Sequence, residues 1–161
     1  MSSSSSTLQS NPDTLSHIEQ LWSTLLPASP VYSFLLSGLR ITHASPGLIH
    51  ARLVLTKEHL NSKLGIHGSV SATIIDAFGG LAIASTDLRE KTGASVDLNV
   101  SYLGSAGMGD EIEIEGKADK VGGSLAFTSV TLYKVKEGAR DAVIVIGRHT
   151  KFVRQPTIKR E

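Results

Sequence analysis

Apolar positions follow three different rhythms along this chain, and each predicts a different element. Leu15, Ile18, Leu21, Trp22 and Leu25 recur at three- and four-residue spacing, which predicts an amphipathic helix capped by Asp13 and ended by Pro27 and Pro30. Residues 31–36 read as another short helical turn. Residues 39–43 and 48–55 read as strands joined by a tight turn at Ala44-Ser45-Pro46-Gly47. Four more strand-length segments, 94–103, 111–121, 125–135 and 142–153, are set off by glycines at 107, 109, 122, 123 and 138. Within the second of these, Glu111-Ile112-Glu113-Ile114-Glu115 alternates strictly, so one face is expected to be buried and the other wet, as in an antiparallel sheet with one side covered.

The third rhythm is an absence of rhythm. From Gly68 the residues are small or apolar for about 19 positions, roughly 28 Å if helical, and Asp76 is the one ionisable side chain before Asp87. A helix apolar all round belongs inside something. Its Gly, Ala and Ser content fits a helix around which a sheet closes tightly rather than a membrane span, and the longest strongly apolar segments fall short of one. Gly79, Gly80, Ala82 and Ala84 leave two readings open: room beside the helix for a long apolar ligand, or close approach of the sheet. Burying Asp76 in such a setting would cost several kcal/mol unless partners compensated, so this carboxylate calls for a reason. The order of two strands, one long helix and four strands lacks the repeated crossovers of a doubly wound parallel sheet. The expected fold class is therefore α+β, an antiparallel sheet wrapped around one long central helix.

Composition narrows the function classes. With 161 residues and 40% hydrophobic content the chain suits one domain with a sizeable core. A net charge of +1 argues against nucleic acid as a partner. The absence of cysteine excludes disulfides and thiolate metal sites and is compatible with a reducing compartment; neither a metal nor a cofactor is expected. Residues 1–12, with five consecutive serines and no charge, are expected to be a disordered tail. They precede a helical segment at 13–37, the main domain at 38–154 and a tail at 155–161. No signal-peptide core is present, the first arginine is Arg40, and the terminal Lys159-Arg160-Glu161 is no peroxisomal signal. The expectation is a cytoplasmic protein, with mitochondrial import left open.

Four blocks in order carry a resemblance: Asn61 with His67-Gly68 and Asp76; residues 95–102 (S-V-D-L-N-V-S-Y); residues 125–130 (L-A-F-T-S-V); and residues 147–151 (G-R-H-T-K). In these the chain resembles the hot-dog fold acyl-CoA thioesterases, in the subgroup of the phenylacetate-pathway enzyme and thioesterase superfamily member 2. The match runs from about Leu48 to Phe152. The resemblance implies that the Gly68 N–H and the Asn61 side chain polarise a thioester carbonyl, and that Asp76 and Ser95 position water, with Asp76 as base or nucleophile. It implies substrate contacts at His67, Lys57 and Asp97. The coenzyme A groove would be lined by Tyr102, Leu103, Gly104, Ser105, Ala106 and Gly107, and by Lys120, Val121, Gly122, Gly123, Ser124 and Leu125. It also implies a dimer or a dimer of dimers acting on acyl-CoA in fatty acid metabolism.

Elementary geometry agrees with part of this. Gly68 sits where the helix should begin, so its N–H points outward at the positive end of the helix dipole and its missing side chain lets a carbonyl approach. Eight residues separate Gly68 from Asp76, roughly 12 Å along a helix, which is awkward for two groups serving one carbonyl and favours a site shared between chains. Each residue also has a structural reading: Asp76 as an acid held by nearby donors, Asn61 as a turn residue, His67 as a loop-shaping hydrogen-bond partner, Ser95 as an ordinary strand serine, Gly122-Gly123 as a hairpin turn. Arg148, His149 and Lys151 read as either supporting charge or alternating wet strand positions. Besides thioester hydrolysis, an acyl-CoA binding protein without turnover and a hydratase on the same fold are alternatives. The hydratase is disfavoured because residues 60–67 lack the proline-rich loop of such enzymes.

Overall fold

In the computed structural model residues 9–154 are described. The elements in chain order are helix α1 (Pro12–Ala28), helix α2 (Pro30–Leu36), strands β1 (Arg40–Ser45) and β2 (Leu48–Val54), a 3₁₀ turn (Lys57–His59), helix α3 (Gly68–Asp87), and strands β3 (Ala94–Tyr102), β4 (Glu111–Val121), β5 (Leu125–Lys136) and β6 (Ala139–Phe152). The six strands form one antiparallel sheet in the order β1-β2-β4-β5-β6-β3. It curls around α3, as the residue pattern implied.

The N-terminal boundaries differ from the expectation. Asn11, not Asp13, caps α1: its Oδ1 accepts from the Thr14 N–H at 3.0 Å, and Pro12 occupies the first helical position, where a missing N–H costs nothing. The stretch expected to be disordered to residue 12 is held from Ser10 onward. Ser10 Oγ lies 3.0 Å from His43 Nδ1, and the Asn11 N–H donates to the Ala44 carbonyl at 2.9 Å. Residues 1–8 of that tail, and the tail expected at 155–161, lie outside the described residues. Pro27 falls inside the last turn of α1, whose end is reached when the Ser29 N–H donates to Leu25 O. Pro30 starts α2 instead of ending α1, with Ser29 Oγ as its cap.

Close approach explains why α3 is made of small residues. Ile74, Ile75, Phe78 and Leu81 are fully buried against Ile49, Leu53, Ile112, Ile114, Val130 and Leu132 of the sheet. Between these large side chains the backbones come nearer: a Cβ on Gly79 would stand 2.6 Å from His149 Nδ1 and 2.9 Å from Thr128 Oγ1, and one on Gly147 would collide with the Ile75 side chain. Gly79, Gly80, Ala82 and Ala84 are all buried, so they admit neighbouring chain closely rather than leave an open acyl channel. By length and composition alone the 20-residue α3 would suffice to cross a membrane, but 67% of its most apolar window is buried inside the fold, which makes it the core helix expected from the sequence rather than a span.

The outer face of β4 also departs from the expected pattern. Glu113 and Glu115 are not wet; they retain only 9% and 8% of their exposure. The long β5–β6 hairpin turns at Glu137 and Gly138, both at positive φ, and carries Arg140 over β4. Arg140 donates to Glu113 at 2.6 Å and to Glu115 at 2.8 Å, stacking 4.1 Å over the Tyr133 ring. Arg52 pairs with Glu113 at 3.1 Å, Lys117 with Glu115 at 2.8 Å, and His50 Nε2 lies 3.2 Å from Glu115. Burial alone would push both glutamates up, but hydrogen bonds and charge from Arg140 and then Arg52 at Glu113, and from Lys117 and then Arg140 at Glu115, hold them below the ordinary range. Burial, opposed by Glu115, pushes His50 down.

These packing and charge arrangements make two predictions. Helix propensity favours alanine over glycine by about 1 kcal/mol, but Gly79→Ala also forces a methyl against His149 and Thr128, an overpacking cost of about 1–3 kcal/mol. Urea midpoints should therefore show Gly79→Ala destabilised and Gly80→Ala, whose Cβ would meet only Thr92 at 3.1 Å, neutral or stabilised. Because Glu113, Glu115 and His50 all bind their protons less readily when folded, stability rises with pH. It should weaken as pH falls below about 6.5 through His50, and again below about 4.3 through the glutamates. Urea midpoints flat between pH 7 and 3 would contradict this.

Candidate active site

One face of α3 escapes the sheet, and Asp76 lies on it. Its side chain is 39% exposed, so the burial anticipated from its neighbours does not occur: the strands cover the opposite side, leaving Asp76 beside α2 and the start of β3. Ser95 Oγ donates to Asp76 Oδ1 at 3.3 Å, and the Tyr32 hydroxyl donates to Oδ2 at 2.6 Å. His149 Nε2 is 2.8 Å from Ser95 Oγ and 3.7 Å from Asp76 Oδ1. Since the single Ser95 proton goes to the carboxylate, His149 donates from Nε2 and its buried Nδ1 is a bare acceptor. Burial and the nearby Lys151 push His149 below the ordinary imidazole range, which favours this neutral form. Lys151 is likewise buried, which pushes its ammonium down while Asp76 opposes the shift.

A bulge in β3 produces this convergence. Ser95 pairs with Lys151 and Asp97 with Thr150, so Val96 is an extra residue and the two flanking side chains no longer share a face. Ser95 turns toward α3. Asp97 turns outward to a groove of about 950 Å³ with Asn99, Ser101 and Arg148, away from Asp76. On β6, His149 and Lys151 face inward and are buried while Arg148 is exposed, so of the three only Arg148 occupies a wet strand position. The shared parity of Gly147, His149 and Lys151 was the signal available in the sequence. Tyr32 gave none, because its contact to Asp76 spans 44 residues and depends on how α2 docks.

The Gly68 region lies elsewhere. His67 caps α3, its Nδ1 accepting from the Ser69 N–H at 3.1 Å and hydroxyl at 2.7 Å, the structural role rather than an acid–base one. Asn61 organises the loop before it: Oδ1 accepts from the Lys63 and Gly65 N–H groups at 2.8 and 3.2 Å, and Nδ2 reaches the Ile66 carbonyl at 3.4 Å. One N–H of that amide remains to be used. The Tyr102 hydroxyl donates to Gly68 O at 3.1 Å, and its ring stands so close that a Cβ at Gly68 would lie only 3.1 to 3.4 Å from the phenol. Ser95 beside Asp76 and Tyr102 beside Gly68 are therefore seven residues apart on β3, roughly 23 Å in a strand.

The remaining groove candidates divide between these two ends. Lys57 is exposed on the 3₁₀ turn near His67, and Leu103, Gly104 and Ser105 run past Ile144 to Ala106, which is buried and accepts from the Ile66 N–H; Gly107 follows, tied to Asp110. Lys120, Val121, Gly122, Gly123, Ser124 and Leu125 form the β4–β5 turn at the Ser95 end, where the Ser124 carbonyl accepts from Val153. A cleft of about 530 Å³ opens beside Asp76, bounded by Ser29, Val31, Tyr32, Ala72 and Thr73. Among the described residues no group of three or more His, Asp and Glu could hold a metal ion.

A profile described as the thioesterase superfamily matches residues 65–139. Human acyl-coenzyme A thioesterase 13 is 35% identical over 118 residues, covering 73% of this chain and 81% of its own. The chain belongs to the thioesterase superfamily. A candidate esterase of Schizosaccharomyces pombe is 36% identical over 87% of this chain and 84% of its own length. The crystal structure of zebrafish thioesterase superfamily member 2 superposes with a TM-score of 0.74 at 28% identity, covering 91% of this chain and 99% of that one. A hypothetical thioesterase protein of Streptococcus pneumoniae, solved with coenzyme A, shares the fold at a TM-score of 0.65 and 21% identity, covering 73% and 90%. The six-stranded sheet around one central helix is the hot-dog fold, and the protein is a hydrolase of the thioesterase class.

Proposed function

We propose that this enzyme hydrolyses acyl-coenzyme A thioesters, in an active site completed by two copies of the chain. The observation that carries the reading is the Asp76–Ser95–His149 chain of contacts on the open face of α3. Both Asp76 oxygens already accept hydrogen bonds, which suits a fixed base more than an attacking nucleophile. In this reading Asp76 takes a proton from a water held with Ser95, the hydroxide adds to the thioester carbon, and the carbon–sulfur bond breaks. The proton passes from Asp76 to the departing thiolate, leaving a carboxylic acid and coenzyme A. The Gly68 N–H and the unused Asn61 N–H stabilise the oxygen that becomes negative.

Two copies are needed because those donors stand at the far end of β3 from Asp76. That strand is an edge of the sheet, and seven of its nine residues are exposed, including Val96 at 59% and Tyr102 at 57%, without a protective charge cluster or proline. Antiparallel pairing of β3 with its copy lays the Ser95 end of one chain against the Tyr102 end of the other. Asp76 then faces Gly68 of the second copy. The same operation brings the turn at Gly122-Gly123 beside Lys57 and the segment at Leu103-Gly104, so that both line one groove for coenzyme A. The name of the human relative supports the choice of thioester.

Release of thiol from acyl-coenzyme A, followed spectrophotometrically, tests the activity. Asp76→Asn should lower the rate by about 10²- to 10⁴-fold with acyl-CoA affinity kept; parental turnover would remove Asp76 from the chemistry, and binding without any thiol release by the parent would identify a binding protein. Sizing should show at least a dimer. Inactive Asp76→Ala and Asn61→Ala proteins, mixed after verified subunit exchange, should regain activity, and failure to do so would contradict the shared site.

A further inference from the structure

We infer that Tyr32, which lies in the helical segment ahead of the sheet, is a positioning residue for the catalytic carboxylate: its hydroxyl fixes Asp76 through Oδ2 and leaves Oδ1 to Ser95 and water. The inference rests on the hydrolase reading above. The contact is 2.6 Å, the short distance of an O–H bonded to a charged carboxylate, and it is shorter than the 3.3 Å bond from Ser95. Asp76 is half-exposed and would otherwise have one oxygen free to rotate into solvent.

The phenol is held from several sides. Its ring packs 5.9 Å from Trp22 at 35°, Leu36 on the same helix is fully buried, and Ser33 Oγ donates to Leu26 O at 2.6 Å. His59 Nε2 lies 2.7 Å from the Leu35 carbonyl, tying the end of α2 to the 3₁₀ turn. Seven-residue α2 would be marginal alone; these four attachments give its tyrosine a fixed place. Burial, and then the hydrogen bond and charge of Asp76, push the phenol above its ordinary range, so it keeps its proton and acts as donor. With Ser95 on one oxygen and Tyr32 on the other, the plane of the carboxylate is set by residues from two separate parts of the chain.

Tyr32→Phe removes one oxygen and keeps the ring on Trp22. Thiol release by the full-length parent and variant should show kcat lowered about 10-fold, the scale of one hydrogen bond to a charged group, with KM unchanged. In an Asp76→Asn background, whose residual thiol release can still be followed, the same substitution should have little further effect, because the charge being positioned is gone. Thermal unfolding of the variant should stay near that of the parent. An active parent with an equally active Tyr32→Phe protein would overturn this inference alone, as would an equal loss in both backgrounds or a variant that fails to fold, which would make the phenol a structural strut. A parent that releases no thiol would sink the hydrolase reading and this inference together.

Discussion

Everything in this molecule depends on how closely a curled sheet approaches α3. A helix studded with leucines would hold the strands at ordinary distance; here Gly79 lies against His149 and Thr128, and Gly147 receives Ile75. That intimacy places a buried imidazole next to the helix backbone, within reach of Ser95 and of Asp76 one turn away from the covered side. The small residues of α3 therefore build the core and the site at once. Volume added at Gly79 would press on both.

The position of the carboxylate follows from where the sheet stops. β3 is an edge strand, and beyond it α3 faces outward, covered by helices α1 and α2. A carboxylate at this seam is accessible yet flanked by donors, a combination that neither a core position nor a free surface offers. The extra residue in β3 decides which side chain joins it: without the bulge Ser95 and Asp97 would share a face, and with it only Ser95 turns inward. The second copy supplies, in the proposed dimer, the helix start that the first copy holds too far away.

The opposite side of the sheet is closed by charge rather than by a second layer. Arg140, delivered by the curled hairpin, and Arg52 neutralise two glutamates that β4 would otherwise present to water. Such buried pairs contribute little net stability when compared with apolar packing. They do fix the hairpin against β4, because each carboxylate left without its arginine would be a buried, unpaired charge.

The sequence by itself determined the fold class and the six strands, because alternation and turn residues are local and survive any arrangement of the rest. It also singled out Asp76 and Gly68, since one carboxylate in an apolar run and a glycine at a helix start stand out without knowledge of contacts, whereas Asn61 and Ser95 stood out only through the blocks that resemble the thioesterases. His67 as a cap was legible for the same reason. Tertiary structure decided what depends on distance in space. The strand bulge turned Asp97 away, the hairpin buried Glu113 and Glu115 under Arg140, and the inward parity of β6 placed His149 and Lys151 beside Asp76. Tyr32 came to the carboxylate from 44 residues away, and no periodicity records a meeting of that kind. Local patterns encode which face of an element is apolar; which other element closes over that face is set by packing that only the folded chain completes.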